Sequence, residues 1–238
     1  MKKLIVTLFA LVLSIPMLAE ISQQEKNALV DLYMATNGEK WNSTWDINED
    51  VATWHGITVT NGHVTSISLL FNNLEGQIPN SIGDLAFLEK LELSFNNLHG
   101  TLPKSLGNIS SLRVFAVNGN NLEGTIPASI GNLVNLEQLH LSSNAFHGEV
   151  PRTIGQLDKL QVLNIFDNNL EGTLPAELAI SKSLKKLVIA ENNIKNTESF
   201  ASILLFEAEE EESIFKKPTA VPAAKSIIAI ETSDDDEN

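Results

Sequence analysis

The sequence contains no cysteine and few basic residues. Without cysteine there are no disulfide bonds, thiolate metal sites, cysteine nucleophile or lipid-modified N-terminal cysteine. Lysine and arginine total 16 against 30 aspartate and glutamate residues, which gives a formal net charge of -14 at pH 7. Because binding to nucleic acid depends on concentrated positive charge, we expect no nucleic-acid partner.

A long apolar run occurs only at the N-terminus. Lys2 and Lys3 precede an apolar stretch at residues 4–15, and the small residue Ala19 follows it. This pattern predicts a signal peptide at residues 1–19, cleaved near Ala19, and hence a secreted or periplasmic protein. The run is shorter than the roughly 20 apolar residues that cross a bilayer, so we expect no transmembrane anchor.

Six asparagines recur at a spacing of 24 residues, and a glycine and a proline follow each of the first five with the same period. They are Asn72, Asn96, Asn120, Asn144, Asn168 and Asn192. Leucines precede them in the pattern L-x-x-L-x-L-x-x-N. A fixed period of this length indicates stacked coils, each burying a leucine layer that only its neighbours complete. We therefore predict an α/β solenoid at residues 64–196, with five full units and one truncated unit.

Each part of the unit has its own expected structure. The leucine-rich part predicts a short strand, and the stacked strands predict a parallel sheet on the concave face. Proline has no N–H to donate, so the segment after the repeated glycine is expected to be 3₁₀ or extended structure on the convex side. The repeated asparagines are expected to form a structural ladder, in which each amide satisfies backbone groups where the chain leaves the strand.

Both ends of the array need a cap. In the predicted N-terminal cap, residues 20–63, Ser22 and Glu25 form a capping box at the start of an amphipathic helix. Asn61-Gly62 between alternating residues predicts a two-residue hairpin leading into the first repeat.

The C-terminal end carries a weaker capping signal and an acidic tail. Residues 197–206 are predicted to close the array, because Phe200, Ile203 and Leu204 have helical spacing. Residues 207–238 contain ten acidic residues against three lysines. This composition predicts a solvated, disordered tail.

The unit N-N-L-x-G-x-[IL]-P-x-x-[IL]-G-x-[LI], as at residues 72–85 and 120–133, resembles the plant-type leucine-rich repeat of receptor-kinase ectodomains and polygalacturonase-inhibiting proteins. The N-terminal cap is similar to theirs, and closer still to secreted bacterial proteins with such repeats, since Val59 stands where the plant cap has a cysteine. The resemblance implies a right-handed leucine-rich repeat superhelix. It also implies an extracellular, non-enzymatic module that binds another protein through its concave face. We expect a monomer without a cofactor.

Side chains between the inward leucines should point out of the concave face. The predicted partner-binding residues are Leu70, Phe71, Lys90, Glu92, Phe95, Arg113, Asn118, Gln138, His140, Asn164, Phe166 and Asp167. Phe71 and Phe95 occupy the same position in neighbouring units, so their rings are expected to stack roughly 5 Å apart. Two interpretations of this pair remain open: a binding hot spot, or ring packing that only stabilises the sheet.

Other chemistries have weaker signals. Glu75, His99, Glu123, His147 and Glu171 form an alternating column before the repeated glycines. Two adjacent ligands coordinate a metal weakly, so we expect an exposed turn and no metal site. No nucleophile and base can be singled out, so we predict no catalytic residue. The alternative function is a carbohydrate-binding or surface-adhesion module that uses the exposed phenylalanines.

Overall fold

The computed structural model describes residues 21–200. The predicted signal peptide, the predicted tail and residues 201–206 of the predicted C-terminal cap lie outside the described residues. The described chain begins with one α-helix, α1, Gln23–Ala35. Ser22 Oγ accepts from the Glu25 N–H at 3.2 Å, and the Glu25 carboxylate accepts from the Ser22 N–H at 3.3 Å. The capping box is therefore confirmed.

The Glu25 side chain also ties the helix to the first repeat. Its Oε1 accepts from the Val64 N–H at 3.0 Å, and its Oε2 lies 3.3 Å from His63 Nδ1. A buried carboxylate is costly unless hydrogen bonds compensate it, and these contacts supply the compensation. One residue thus fixes both the start of α1 and the placement of the cap.

Thirteen short strands follow α1 within residues 21–200. Their bounds are β1 Ile57–Thr60, β2 His63–Ser68, β3 Glu75–Gly76, β4 Lys90–Glu92, β5 Asn97–Gly100, β6 Val114–Ala116, β7 Asn121–Gly124, β8 Gln138–His140, β9 Ala145–Glu149, β10 Val162–Asn164, β11 Asn169–Thr173, β12 Lys186–Val188 and β13 Asn193–Lys195. β1 and β2 pair antiparallel around Asn61 and Gly62, whose φ angles are 52° and 79°. Two positive φ values are those of a type I′ turn, so the predicted hairpin is confirmed.

The strands form two sheets along the solenoid. The first has the order β1-β2-β4-β6-β8-β10-β12 and is parallel from β2 onward, with Ile67, Leu91 and Phe115 in register. This is the predicted parallel sheet. The second has the order β3-β5-β7-β9-β11-β13 and is also parallel. The sequence did not predict the second sheet, which occupies the segment between each ladder asparagine and the following proline.

The convex side consists of 3₁₀-helices, as the prolines predict. They are Asn80–Asp84, Lys104–Asn108, Ala128–Asn132, Arg152–Gln156 and Ala176–Ile180. Shorter 3₁₀-helices lie in the caps, at Gly38–Lys40, Val51–Thr53 and Thr197–Phe200. A Cβ on Gly83 would lie 2.5 Å from the Ser105 carbonyl oxygen in the next coil. Glycine therefore allows neighbouring coils to pack closely on this side.

The core is a continuous stack of apolar layers, mostly leucine and isoleucine with Phe115 and Phe146 among them. Leu88, Leu91 and Leu93 of one coil are fully buried, and the equivalent residues of the other coils repeat this layer. At the N-terminal end Trp45 packs between Trp41 and Trp54, at ring distances of 4.8 and 4.7 Å. At the other end of the described chain, the final 3₁₀-helix buries its terminal phenylalanine under the last coil.

The recurring asparagines bond successive coils together. Asn96 Nδ2 donates to the carbonyls of Leu69 and Leu93, both at 2.8 Å, and its Oδ1 accepts from the Leu74 N–H at 3.0 Å. Asn120 repeats this arrangement and shares the Leu93 carbonyl at 3.1 Å. Two ladder amides, one from the same coil and one from the next, donate to each of four carbonyls, those of Leu93, Val117, Leu141 and Ile165.

Candidate binding surface

Polar side chains in the middle of the concave sheet bond mainly to one another. Lys90 Nζ lies 2.8 Å from Glu92 Oε2, and Ser68 Oγ donates to the same oxygen at 2.8 Å. Arg113 Nη2 lies 2.8 Å from Glu137 Oε1 on the next coil. These two pairs contain two positive and two negative side chains, so their charges balance.

His140 lies on the same column of the sheet as Glu92, with the small residue Ala116 between them. Burial lowers the pKa of His140 below its ordinary value of 6.5; Glu92 raises it, and Lys186 lowers it further. Nε2 of the imidazole lies 3.3 Å from Gln138 Oε1. The ring is therefore neutral at pH 7, so it is a hydrogen-bonding group there and not a cation.

Two predicted contact residues also support the sheet. Asn118 Oδ1 accepts from both the N–H and the Oγ of Ser142, each at 2.9 Å. Asn164 Oδ1 accepts from the Phe166 N–H at 3.2 Å, and its Nδ2 donates to Ser142 Oγ at 3.3 Å. Their polar atoms are thus partly used within the protein, which leaves less of their hydrogen-bonding capacity for a partner.

The aromatic pair is not in the strands of the concave sheet, where the sequence placed it. Phe71, Phe95 and Asp167 lie in the turns between the two sheets, with positive φ angles of 53°, 58° and 55°. We call the row of residues directly before the ladder asparagines the rim. It comprises Phe71, Phe95, Gly119, Ser143, Asp167 and Glu191, all with positive φ. The rim lies at the lateral edge of the concave face because each rim residue comes after a strand of the first sheet and before a strand of the second.

The two rim phenylalanines form an exposed stack. Their ring centroids are 4.5 Å apart and the ring planes differ by 2°, which confirms the predicted stacking. Phe71 is 64 % exposed and Phe95 is 49 % exposed. Asn42, Asn73 and Asn97 flank the pair. Single exposed apolar residues are common on protein surfaces, whereas a contiguous exposed apolar pair such as this one is more typical of an interaction site.

The other predicted apolar residues are separate from this stack. Leu70 is adjacent to Phe71 in sequence and is exposed. Phe166 occupies the same column as Leu70 and is half-buried. It lies three coils beyond Phe95, about 14 Å away at the usual spacing of parallel strands. Leu70 is thus next to the aromatic pair along the chain, whereas Phe166 lies apart from it.

Sequence reasoning missed a second exposed ring. Phe87 stacks on the His63 imidazole, with ring centroids 3.6 Å apart, near the junction of α1 and the hairpin. The equivalent positions in later repeats, Ser111 and Asn135, are polar. That contrast within one column is the signal that could have identified Phe87.

The alternating acid and histidine column lies elsewhere than predicted. Glu75, His99, Glu123, His147 and Glu171 are exposed, as expected, but they are in strands of the second sheet and not in a turn. Among residues 21–200, no group of three or more histidine, aspartate or glutamate side chains is placed to hold a metal ion. In the same part of the chain, no helix has the length and apolar character needed to cross a membrane.

The stacked 24-residue coils, asparagine ladder and paired sheets define a leucine-rich repeat scaffold. Residues 68–187, half of the chain, match the family model described as a leucine-rich repeat region. The chain therefore belongs to the leucine-rich repeat family. It is similar to polygalacturonase inhibitor 1 of Arabidopsis thaliana, with 33% identity over 29% of this chain and 22% of that protein.

Solved structures give the same result for the fold. The crystal structure of PEPR1-AtPEP1 aligns with a TM-score of 0.67 and 30% identity, over 73% of this chain and 25% of that one. The ectodomain of the Arabidopsis thaliana receptor kinase GASSHO1/SCHENGEN3, in complex with CASPARIAN STRIP INTEGRITY FACTOR 2, aligns with a TM-score of 0.67 and 29% identity. That match covers 71% of this chain and 21% of that chain.

The matches cover only part of each relative. The chain spans 22% to 26% of the curated relatives it matches. These relatives come from flowering plants, and the expected closer similarity to secreted bacterial proteins stays a prediction.

Proposed function

We propose that this chain is a secreted, non-enzymatic binding protein that uses its concave face and rim to hold another protein. The observation that carries the proposal is the stacked, exposed pair Phe71 and Phe95. Aromatic side chains dominate the energy of protein interfaces because they bury a large area at small conformational cost. A partner that covers these rings would remove exposed apolar surface from water.

The relatives support the same class of activity. One is named as an inhibitor of polygalacturonase, and one structure contains a receptor ectodomain with a bound factor. Both are proteins that act by binding another molecule. Since this chain matches only a quarter or less of them, the identity of its own partner does not follow from theirs.

The proposal is tested by changing Phe71 and Phe95 to aspartate together. The matched control is Val134→Asp with Ile180→Asp, because these residues are 59 % and 81 % exposed and lie off the rim. An aromatic pair contributes only about 0.5–1.5 kcal/mol beyond its buried area, so the rim variant should keep the wild-type circular dichroism. The control variant should keep it too, because its two side chains are exposed. Only the rim variant should lose its partner.

The partner is captured by a photo-crosslinking amino acid at position 71, with the same amino acid at Lys104 on the convex side as the control. Crosslinks to one protein from the cell envelope or surrounding medium are expected at position 71 only. Equal crosslinking at both positions would refute rim binding. Loss of the folded signal in the double aspartate variant would show that the rings are structural.

The alternative is a carbohydrate-binding or adhesion module. It is favoured by the asparagine side chains beside the rings, because amides next to an aromatic face suit a sugar. However, Asn42 Nδ2 already donates to the Phe71 carbonyl at 2.8 Å, and Asn97 Nδ2 donates to Asn73 Oδ1 at 3.1 Å. A glycan array decides between the two. Binding that depends on Phe71 and Phe95 would favour the carbohydrate, and retention of no glycan would exclude it.

A further inference from the structure

The chemistry of the rim changes along the solenoid. All six rim residues share one backbone conformation and recur once per coil, so they form a single row. The row begins with two phenylalanines, passes through Gly119 and Ser143, and ends with Asp167 and Glu191. No basic residue stands in it. An apolar end and an acidic end therefore belong to one continuous edge.

The middle of the rim carries only small residues, Gly119 and Ser143. A Cβ on Gly119 would lie 2.8 Å from Cδ1 of Phe95, so glycine lets that ring lie against the neighbouring backbone. Ser143 adds only a small side chain. Between the rings and the carboxylates, the rim therefore carries no large side chain of its own that would separate the apolar end from the acidic end.

The spacing of the rim matches an extended peptide. Neighbouring parallel strands are about 4.8 Å apart, so Asp167 lies three coils, about 14 Å, from Phe95, and Glu191 about 19 Å. An extended chain rises about 3.3 Å per residue and turns alternate side chains to the same side. Its residues i and i+4 are then about 13 Å apart, and i and i+6 about 20 Å. Because positions i, i+4 and i+6 differ by even numbers of residues, the side chains at these three positions of the peptide lie on the same face of it.

From this correspondence we infer that the rim binds an extended peptide segment with an apolar residue at position i and lysine or arginine at positions i+4 and i+6. The apolar side chain contacts the phenylalanine stack, and the two cations pair with Asp167 and Glu191. The inference rests on the proposed function and specifies the chemistry of the partner at that surface.

The charge of the protein fits this occupant. Both carboxylates are exposed, and the chain as a whole carries a net charge of -14. Exposed ion pairs contribute about 0.2–1 kcal/mol each, so two pairs correspond to about a twofold to thirtyfold change in Kd. The cations therefore set preference among peptides, whereas the aromatic stack supplies the apolar contact.

The test uses eight-residue, fluorescein-labelled peptides with leucine at position 1, lysine at positions 5 and 7, and serine elsewhere, made in both chain directions. One control has the lysines at positions 4 and 6, which keeps the composition but turns the charges to the other face. A second control has glutamate at positions 5 and 7. In one of its two chain directions, the first peptide should bind the full chain about twofold to thirtyfold more tightly than either control does, as measured by fluorescence polarisation.

A charge reversal tests the assignment to the rim. Asp167→Lys with Glu191→Lys should reverse the preference toward the glutamate peptide. The matched control, Glu49→Lys with Glu177→Lys, makes the same change in net charge at exposed positions away from the rim and should keep the lysine preference. Equal reversal in both variants would overturn the inference, because bulk charge would then explain it.

Absence of any preference between the two lysine peptides, or no binding by either, would also overturn the inference. Such a failure is distinct from failure of the proposed function. That function is decided by the crosslinks at position 71 and by the double aspartate variant, neither of which uses these peptides.

Discussion

Replacing Asn120 by leucine removes one rung of the asparagine ladder while nearly preserving side-chain volume. In the structure Asn120 Nδ2 donates to the carbonyls of Leu93 and Val117, at 3.1 and 3.0 Å. Its Oδ1 accepts from the Leu98 N–H at 3.0 Å. All of these groups are buried, so water cannot replace the lost amide.

The size of the effect follows from which groups keep a partner. The Leu93 carbonyl still receives Asn96 Nδ2 at 2.8 Å, and the Val117 carbonyl still receives Asn144 Nδ2 at 3.0 Å. The Leu98 N–H loses its asparagine acceptor. An unpaired buried backbone group costs about 1–3 kcal/mol, so the free energy of unfolding should fall by about that amount.

The assay is urea unfolding followed by circular dichroism. Asn121→Leu is the matched control, because Asn121 is the adjacent, exposed residue and its replacement should change the free energy of unfolding by no more than about 0.5 kcal/mol. An unfolding curve for Asn120→Leu that coincides with that of the wild type would refute the ladder as a stabilising element.

The shared carbonyls give a sharper form of the same test. Replacing both Asn96 and Asn120 by leucine leaves the Leu93 carbonyl without either of its two amide donors. The double variant should therefore be destabilised beyond the sum of the single variants by about 0.5–3 kcal/mol. Asn96 and Asn144 share no carbonyl, so that pair should be additive. Equal coupling in both pairs would contradict the shared-carbonyl argument.

Two further predictions concern the cap and the concave face. A chain that starts at Trp54 lacks α1 and should aggregate, because the first aliphatic layer becomes exposed; a monomer in size-exclusion chromatography with light scattering would show that the cap is dispensable. The pKa of His140 is lower in the folded chain than its ordinary 6.5, so the unfolded chain binds more protons between these two values. Stability should therefore fall as the pH drops below 6.5 through the folded pKa, and His140→Asn should reduce this dependence in urea unfolding from pH 7.5 to 5.

The 24-residue period alone determines the stacked architecture. Leu88, Leu91 and Leu93 cannot close a core within one coil, so any fold that buries every unit must stack them in register. The capping box at Ser22 and the turn at Asn61-Gly62 were also predictable, because each depends on contacts within a few residues of the chain.

The second sheet could not be read from the sequence. Its strands, such as Asn97–Gly100, are short, and they carry one buried leucine between exposed residues. They are held by backbone hydrogen bonds between coils, which leave no periodic side-chain signature. The acid and histidine column was placed in turns for the same reason.

The aromatic pair of the candidate site was predictable, but its placement was not, and Gly119, Ser143 and Glu191 of the rim were not predicted at all. The common position of Phe71 and Phe95 in the repeat predicted their stacking, because register follows from the period. Their left-handed backbone was not predictable, since bulky residues rarely adopt positive φ and no local signal demands it. The turn between the two sheets imposes it and moves the rings from the strands to the rim. The sequence thus determined which side chains recur together, whereas tertiary pairing of the coils decided which edge of the solenoid they occupy.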